Sequence, residues 1–362
     1  MKPTQQLHDL GQSLWLDNIT RNMLGDGTLA GYIDDLSVTG LTSNPTIFDK
    51  AISGGDAYDD QISELTEQGM EPEEIFFALA LQDLGAAADL FRPAHEQSDG
   101  EDGFVSMEVS PLLADDAQAT IEQAKKLHEQ GGGRSNLYIK IPGTEAGREA
   151  IEESIYAGIP INVTLLFSTD QYLAAAEAYM RGIERRIADG LDPGVRSVAS
   201  LFMSRWDVAV ADEVPDELRN LLGIAVGKHA YRAYRELLDS DGFKKLASDG
   251  AFRQRLLFAS TGTKDPNASD VLYIEALAAP DTIDTMPDKT LVAFADHGEV
   301  GEPIPPDGGD ADELLAKFQE AGIDTDALAA RLQEEGKESF NKSWKDLLGS
   351  IESESRRLAT TG

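Results

Sequence analysis

Short apolar runs alternate with helical stretches along most of this chain, and that alternation constrains its fold more than any other feature. Residues 38–42, 104–110, 137–141, 161–168, 198–204 and 256–262 read as strands, each a brief apolar run closed by turn residues. Helical patterns fill the intervals at 56–92, 115–133, 147–156, 169–189, 218–238 and 268–279. Ser168 and Gln171 have the spacing of a capping box at one helix start. SLWLD, residues 13–17, alternates weakly and reads as either a first strand or a helix turn. An eighth strand lies in 281–285 or in 290–294, and periodicity prefers the second. Residues from Asp310 onward read as two or three polar helices, after a single linker-like segment at 301–310.

Strands alternating with helices predict a parallel sheet with crossover helices. About eight of them in roughly 290 residues fit an α/β fold of the closed (β/α)₈ type, the TIM barrel. The expectation is one domain spanning residues 1–362, with extra N-terminal helices and with C-terminal helices from about residue 310 packed on the barrel. A doubly wound sheet is disfavoured, because no glycine-rich phosphate loop follows an early strand.

Composition narrows the chemistry. Without cysteine, the chain has no disulfide, thiol nucleophile or thiolate metal site. The five histidines are scattered without metal-ligand spacing, and no P-loop or GxSxG elbow occurs. His128 and His229 read as surface residues, and 295–298 as a turn. The start of the chain lacks the apolar core of a secretory signal, and no run approaches membrane-spanning length, so a cytoplasmic location is expected. Against 31 basic residues stand 65 acidic ones, for a formal charge of −34. Such a surface repels nucleic acid and anionic membranes, and it admits an anionic substrate only where local cations overcome it.

One lysine stands out. Lys140 sits among Leu137, Tyr138, Ile139 and Ile141, just before Pro142 and Gly143. A lysine surrounded by apolar groups is costly while charged; the expected loss of its proton leaves an amine that attacks carbonyls. The other reading is a strand-end lysine that snorkels to solvent. The remaining strands decide between them, because barrel enzymes collect their functional groups at the C-terminal strand ends. Asp17, Asn44, Glu108, Lys140, Asn162 with Thr164, Ser200 and Ser260 all fall there, on seven successive strands. Each alone has a plain structural reading, such as a helix cap or a turn. Together they supply what carbinolamine chemistry needs: an amine, proton shuttles, and partners for substrate hydroxyls.

Several segments in order resemble the transaldolases, Schiff-base aldolases of the pentose phosphate pathway. They are TSNPTIF (42–48), LYIKIPGTEAG (137–147), SMEVSPLLADD, INVTLLFS, SVASLFMSRWD, ASTGTKDP and DTIDTMP, and the likeness covers roughly residues 7 to 350, in the style of the longer bacterial branch. The resemblance implies transfer of a dihydroxyacetone unit between sugar phosphates. Sedoheptulose 7-phosphate and glyceraldehyde 3-phosphate would give erythrose 4-phosphate and fructose 6-phosphate. By position, Lys140 would be the Schiff-base nucleophile. Glu108 would act as acid and base through a water near Thr164, and Asp17 would move the proton during carbon–carbon cleavage. Asn44 and Asn162 would bind sugar hydroxyls; Ser200 and Arg205, with Ser260 and Lys264, would hold the phosphate. No metal or organic cofactor is implied, and the expected assembly is a monomer or homodimer. The resemblance also favours DTIDTMP as the eighth strand. Ser110, Leu112 and Arg148 depart from its pattern, the first two standing where relatives often carry Asp and Arg.

Three competing functions remain at this level: an aldolase releasing the free three-carbon ketone, a silent sugar-phosphate-binding barrel, and a metal-dependent aldolase. The charge alone generates a prediction. Self-repulsion at −34 weakens the compact state at low ionic strength, and molar salt shortens the screening length to about 3 Å. The thermal unfolding midpoint is therefore expected to rise across a salt series; a flat series would remove self-repulsion as a significant destabilising force.

Overall fold

The computed structural model describes residues 1–361. Eight strands form a single parallel sheet: β1 (Ser13–Asp17), β2 (Val38–Thr42), β3 (Val105–Glu108), β4 (Leu137–Pro142), β5 (Ile161–Leu166), β6 (Ser197–Phe202), β7 (Gln254–Ala259) and β8 (Ile283–Met286). Ladders join each strand to the next in sequence except at β2 and β3, and β8 pairs back onto β1. The remaining seam is closed by two backbone bonds, Leu41 N–H to Phe104 O and Gly103 N–H to Thr39 O, each 2.9 Å long. The sheet thus forms a (β/α)₈ barrel with helices in its connections and further helices at both ends of the chain.

Register carries the site. Glu108 on β3 lies opposite Lys140 on β4, and Lys140 lies opposite Asn162 on β5. Successive residues on a strand point to opposite faces, so three residues in register share the barrel interior at one height. Below them the interior is filled by aromatic rings: Phe104 stacks on Tyr138 with centroids 4.0 Å apart, and Trp15 packs 6.2 Å from Tyr138. Gly40 is the residue that admits the indole. A Cβ there would stand 2.7 Å from the Trp15 ring and 2.8 Å from Phe104 O. At the N-terminal end, Asp102 accepts hydrogen bonds from Trp15 Nε1 and Thr39 Oγ1, both 2.8 Å, and from Ser13 Oγ. Arg255 donates there to Ser13 Oγ at 2.7 Å and to Thr282 O at 2.8 Å. That end is a closed polar plug, and the open end is the other one.

Several helices differ from the sequence reading. The expected 56–92 stretch is two helices, Asp59–Glu67 and Pro72–Gln97. Gly69 adopts a left-handed φ of 78°, and Pro72 with the Glu71–Glu74 capping box starts a new helix. The helix expected from 218 begins at Leu222, after Asn220 turns left-handed and the Asp207 carboxylate accepts the Leu222 and Gly223 N–H groups. Residues 290–294 are helical, within Asp288–His297, so DTIDTMP supplies β8 and the preference from periodicity was wrong. Pro287 explains this, because it ends the strand and caps the helix at once. His297 closes that helix rather than lying in a turn. The chain ends in two helices, Ala311–Glu320 and a 37-residue helix, Thr325–Thr361. The long helix buries Leu332, Gly336, Phe340, Trp344, Leu347 and Ile351, a stripe at helical spacing that lies along the barrel mouth.

Among the buried acids outside the barrel interior, Asp284 has no charged partner. Asp284 on β8 is fully buried; Thr261 Oγ1 lies 2.8 Å from its Oδ1, and its Oδ2 has no hydrogen-bond partner among the described residues. Desolvation pushes this carboxyl up to about 8, so it is folded in protonated while the unfolded chain ionises near 4. Its contribution to stability is complete below the unfolded value and is lost as pH rises toward 8. Asp284→Asn is therefore expected to gain on the unaltered protein by about 1.4 kcal/mol per pH unit across this window. Chemical denaturation at pH 5, 6 and 7 checks it, and a gap independent of pH would mean that Asp284 is ionised in the fold.

Candidate active site

The mouth of the barrel holds a small cavity of about 120 Å³. Its wall is made by Asp17, Thr42, Asn44, Lys140, Thr164, Ser200, Phe202, Arg205, Ser260, Lys264, Thr285 and Phe340, among others. Eight of the ten residues expected from sequence line it. Glu108 and Asn162 stand directly behind, the first 5 % exposed and the second fully buried.

Lys140 does not snorkel. Its Nζ is buried, 3.2 Å from Ser43 O and 3.3 Å from Glu108 Oε2. Burial raises the Glu108 carboxyl above its ordinary range, against the opposing pull of Lys140. Asp17 is raised for the same reason, although Lys140 and a 3.0 Å hydrogen bond from Thr42 Oγ1 pull it down. Two carboxyls of raised proton affinity thus flank one amine, an arrangement suited to exchanging protons with a bound reactant. Ser110 and Leu112 add no charge behind Glu108: the Ser110 N–H binds Gln123 Oε1, and the Leu112 side chain is exposed.

Amides and hydroxyls complete the wall. Asn44 caps the helix Pro45–Ser53 by accepting from Ile47 N–H at 3.2 Å, so its turn role and its place at the cavity coexist. Asn162 bridges two strands, donating to Ser106 Oγ at 3.0 Å and accepting from Ser200 Oγ at 2.8 Å. The Thr164 hydroxyl is buried and bonds to no described protein group. Just beyond it, the β5 ladder shifts register between Val163 and Leu166, and Leu165 takes a left-handed φ of 57°. Ser260, past the end of β7, has a left-handed φ of 58° and pairs with Ser204 Oγ at 2.9 Å. Both departures from regular strand geometry lie at the cavity, where such strain concentrates.

The cations stand to one side. Arg205 forms no ion pair within the described residues; its Cζ lies 5.2 Å from the Phe202 ring and 5.9 Å from the Phe340 ring. Asp207, two residues along, is no surface partner for it, because Asp207 is buried and accepts from Leu222 N–H, Gly223 N–H and Tyr273 Oη. Asp265 likewise engages Asn220 and Asn267. Lys264 is exposed at the edge of the cavity, and partial desolvation together with Lys289 lowers its proton affinity, while Arg205 adds to the repulsion. Clustered cations that repel one another are poised for an anion.

Sequence reasoning missed Thr42, Ser43 O, Phe202, Thr285 and Phe340. Thr42, Ser43 and Thr285 lie inside quoted motifs but carry no signal of their own, and Phe340 sits in a helix that reads only as polar. His128 and His229 are half-buried rather than surface residues, and His229 Nδ1 lies 2.6 Å from Thr169 Oγ1. No group of metal-binding side chains occurs among the described residues. No helix there is long and apolar enough to cross a membrane.

Residues 14–351 match the transaldolase/fructose-6-phosphate aldolase family. The chain is 42 % identical over 359 residues to a transaldolase of Parafrankia sp., covering 97 % of each. It is 43 % identical over 359 residues to a transaldolase of Mycobacterium ulcerans, with 96 % of each covered. A protein of Nostoc sp. named transaldolase 2 is 38 % identical over 373 residues, 98 % of each. An eight-stranded barrel, a buried lysine paired with an acid at its mouth, and near-full-length relatives lead to one assignment: the chain belongs to the transaldolase/fructose-6-phosphate aldolase family.

Proposed function

We propose that this protein is a transaldolase that carries a dihydroxyacetone unit on Lys140 from a ketose phosphate to an aldose phosphate. Its substrates are sedoheptulose 7-phosphate and glyceraldehyde 3-phosphate, exchanged with erythrose 4-phosphate and fructose 6-phosphate in the pentose phosphate pathway. The barrel and its C-terminal helices act as one catalytic unit. The observation that carries this reading is the Lys140 amine, enclosed at the cavity 3.3 Å from Glu108 with Asp17 on the same wall.

Lys140 attacks the C2 carbonyl of the ketose to give a carbinolamine. Glu108, through a water held by Thr164, protonates the departing hydroxyl, and loss of water leaves the imine. Asp17 takes the proton from the C4 hydroxyl. The C3–C4 bond breaks, its electron pair flows into the imine, and the aldose departs, leaving an enamine on the lysine. Attack of the enamine carbon on the acceptor aldehyde forms the new bond, Asp17 returns the proton to the alkoxide, and water releases the product. Asn44 and Asn162 contact substrate hydroxyls, and Arg205 with Ser200, Ser260 and Lys264 receives the phosphate. The unpaired Arg205 guanidinium at the wall supports that last assignment.

Borohydride added with fructose 6-phosphate is expected to fix one reduced three-carbon unit on the peptide containing Lys140, read by intact mass and peptide mapping. A label on another lysine, or none, would overturn the assignment. Arg205→Ala is expected to raise KM for fructose 6-phosphate roughly 10- to 100-fold, matching the 1.5–3 kcal/mol of a charge-assisted hydrogen bond. Unphosphorylated dihydroxyacetone as donor should suffer far less. Equal losses on both donors would make Arg205 a support of the fold or the chemistry instead of a phosphate ligand.

A further inference from the structure

The C-terminal helix Thr325–Thr361 places one side chain over the reacting lysine. The centroid of the Phe340 ring lies 5.8 Å from Lys140 Nζ and 5.9 Å from Arg205 Cζ, so the ring spans the gap between amine and guanidinium. Phe340 is itself buried and forms part of the cavity wall. The helix that carries it is fastened on both sides of the mouth. Gln333 Nε2 donates to Leu165 O at 2.9 Å, and Lys337 Nζ reaches both Asp115 carboxylate oxygens at 2.9 Å. Ser343 Oγ lies 2.8 Å from Thr46 Oγ1, and Trp344 packs edge-on against Phe76 with centroids 5.0 Å apart. Gly336, one turn before Phe340, allows the close approach: a Cβ there would stand 3.0 Å from Leu165 Cδ2 and 3.4 Å from the Arg205 guanidinium.

We infer that Phe340 is a specificity-determining residue, shielding the lysine-bound enamine from water so that the three-carbon unit passes to an acceptor aldehyde instead of being released. The inference rests on the Schiff-base reading above. An enamine has two fates. Its nucleophilic carbon can bond to an aldehyde carbon, with the new alkoxide taking a proton from Asp17. Alternatively that carbon takes a proton itself; the resulting iminium adds water at C2 and expels the Lys140 amine and dihydroxyacetone. Neither route changes the oxidation level, and only the second places a proton, from water or from a group in exchange with it, on the enamine carbon. A phenyl ring has no proton to give, and it occupies the space through which water would reach that carbon. Excluding water from a reactive intermediate in this way suppresses its side reactions. A ring that served only to seat the helix would, once removed, lower transfer and release together.

The test compares the unaltered protein with Phe340→Ala and Phe340→Leu, using fructose 6-phosphate as donor and erythrose 4-phosphate as acceptor. The readout is the ratio of free dihydroxyacetone released to three-carbon units transferred. Phe340→Ala is expected to raise the ratio by about tenfold or more, and Phe340→Leu, which keeps part of the apolar cover, by less. Run in deuterium oxide, the extra dihydroxyacetone should carry one deuterium on carbon. An unchanged ratio in a folded Phe340→Ala protein, or equal proportional losses of transfer and release, would overturn the inference. If the alanine variant does not fold, the leucine variant decides, and a ratio equal to that of the unaltered protein would overturn it. Failure of borohydride to trap an adduct on unaltered protein would instead overturn the Schiff-base reading, and is distinguishable because it precedes any partition.

Discussion

Everything at the mouth of this barrel follows from one constraint: an amine and two carboxyls are held where water cannot fully solvate them. Lys140 and Glu108 are both nearly inaccessible and 3.3 Å apart. Neither charge would be tolerable there alone, because an unpaired buried ion loses its hydration without compensation. Parallel register makes the pairing possible, since Glu108 and Lys140 occupy matched positions on β3 and β4. The Ser43 carbonyl gives the amine a second partner from the end of β2. Desolvation raises the proton affinity of Glu108 and Asp17, so the cost of burial is also the source of their capacity to exchange protons.

The two ends of the barrel divide the labour. At the N-terminal end Asp102 and Arg255 are tied into hydroxyl, indole and carbonyl partners, which rigidifies the base without creating a cavity. At the C-terminal end the backbone departs from regular geometry at Leu165 and Ser260. The long terminal helix then closes over this less regular end and supplies the roof that the eight strands cannot. Such a division is the usual economy of (β/α)₈ enzymes, in which stability resides below and chemistry above.

Charge acts at two scales. Over the whole molecule, −34 opposes an anionic sugar phosphate. Locally, burial lowers the proton affinity of Arg205, and desolvation with the neighbouring Lys289 and Arg205 charges lowers that of Lys264. The Arg205 guanidinium lies near the Phe202 and Phe340 rings and forms no ion pair among the described residues, although the Glu335 carboxylate is near enough to act on it. A partly desolvated guanidinium without an ion-pair partner interacts strongly with a phosphate, because no salt bridge has to be broken first.

Sequence alone determined the barrel and most of the residues at its mouth. Six strands announced themselves by short apolar runs between amphipathic segments, and strand direction then assigned polar residues such as Asp17, Lys140 and Ser260 to one end. What it left open had physical reasons. Periodicity took the short apolar run 290–294 for a strand while the resemblance favoured 281–285, and Pro287 with the pairing of Ile283–Met286 to β1 and β7 gives the physical reason for the second. Backbone groups such as Ser43 O carry no signal of residue type. Tertiary structure decided that Asn162 bridges Ser106 and Ser200, that Asp207 serves helix N–H groups and leaves Arg205 unpaired, and that Asp284 is buried outside the barrel. It also decided the place of Phe340, roughly 200 residues from Lys140 along the chain. Local periodicity shows that a helix has an apolar stripe; which surface that stripe covers depends on contacts between segments far apart in sequence.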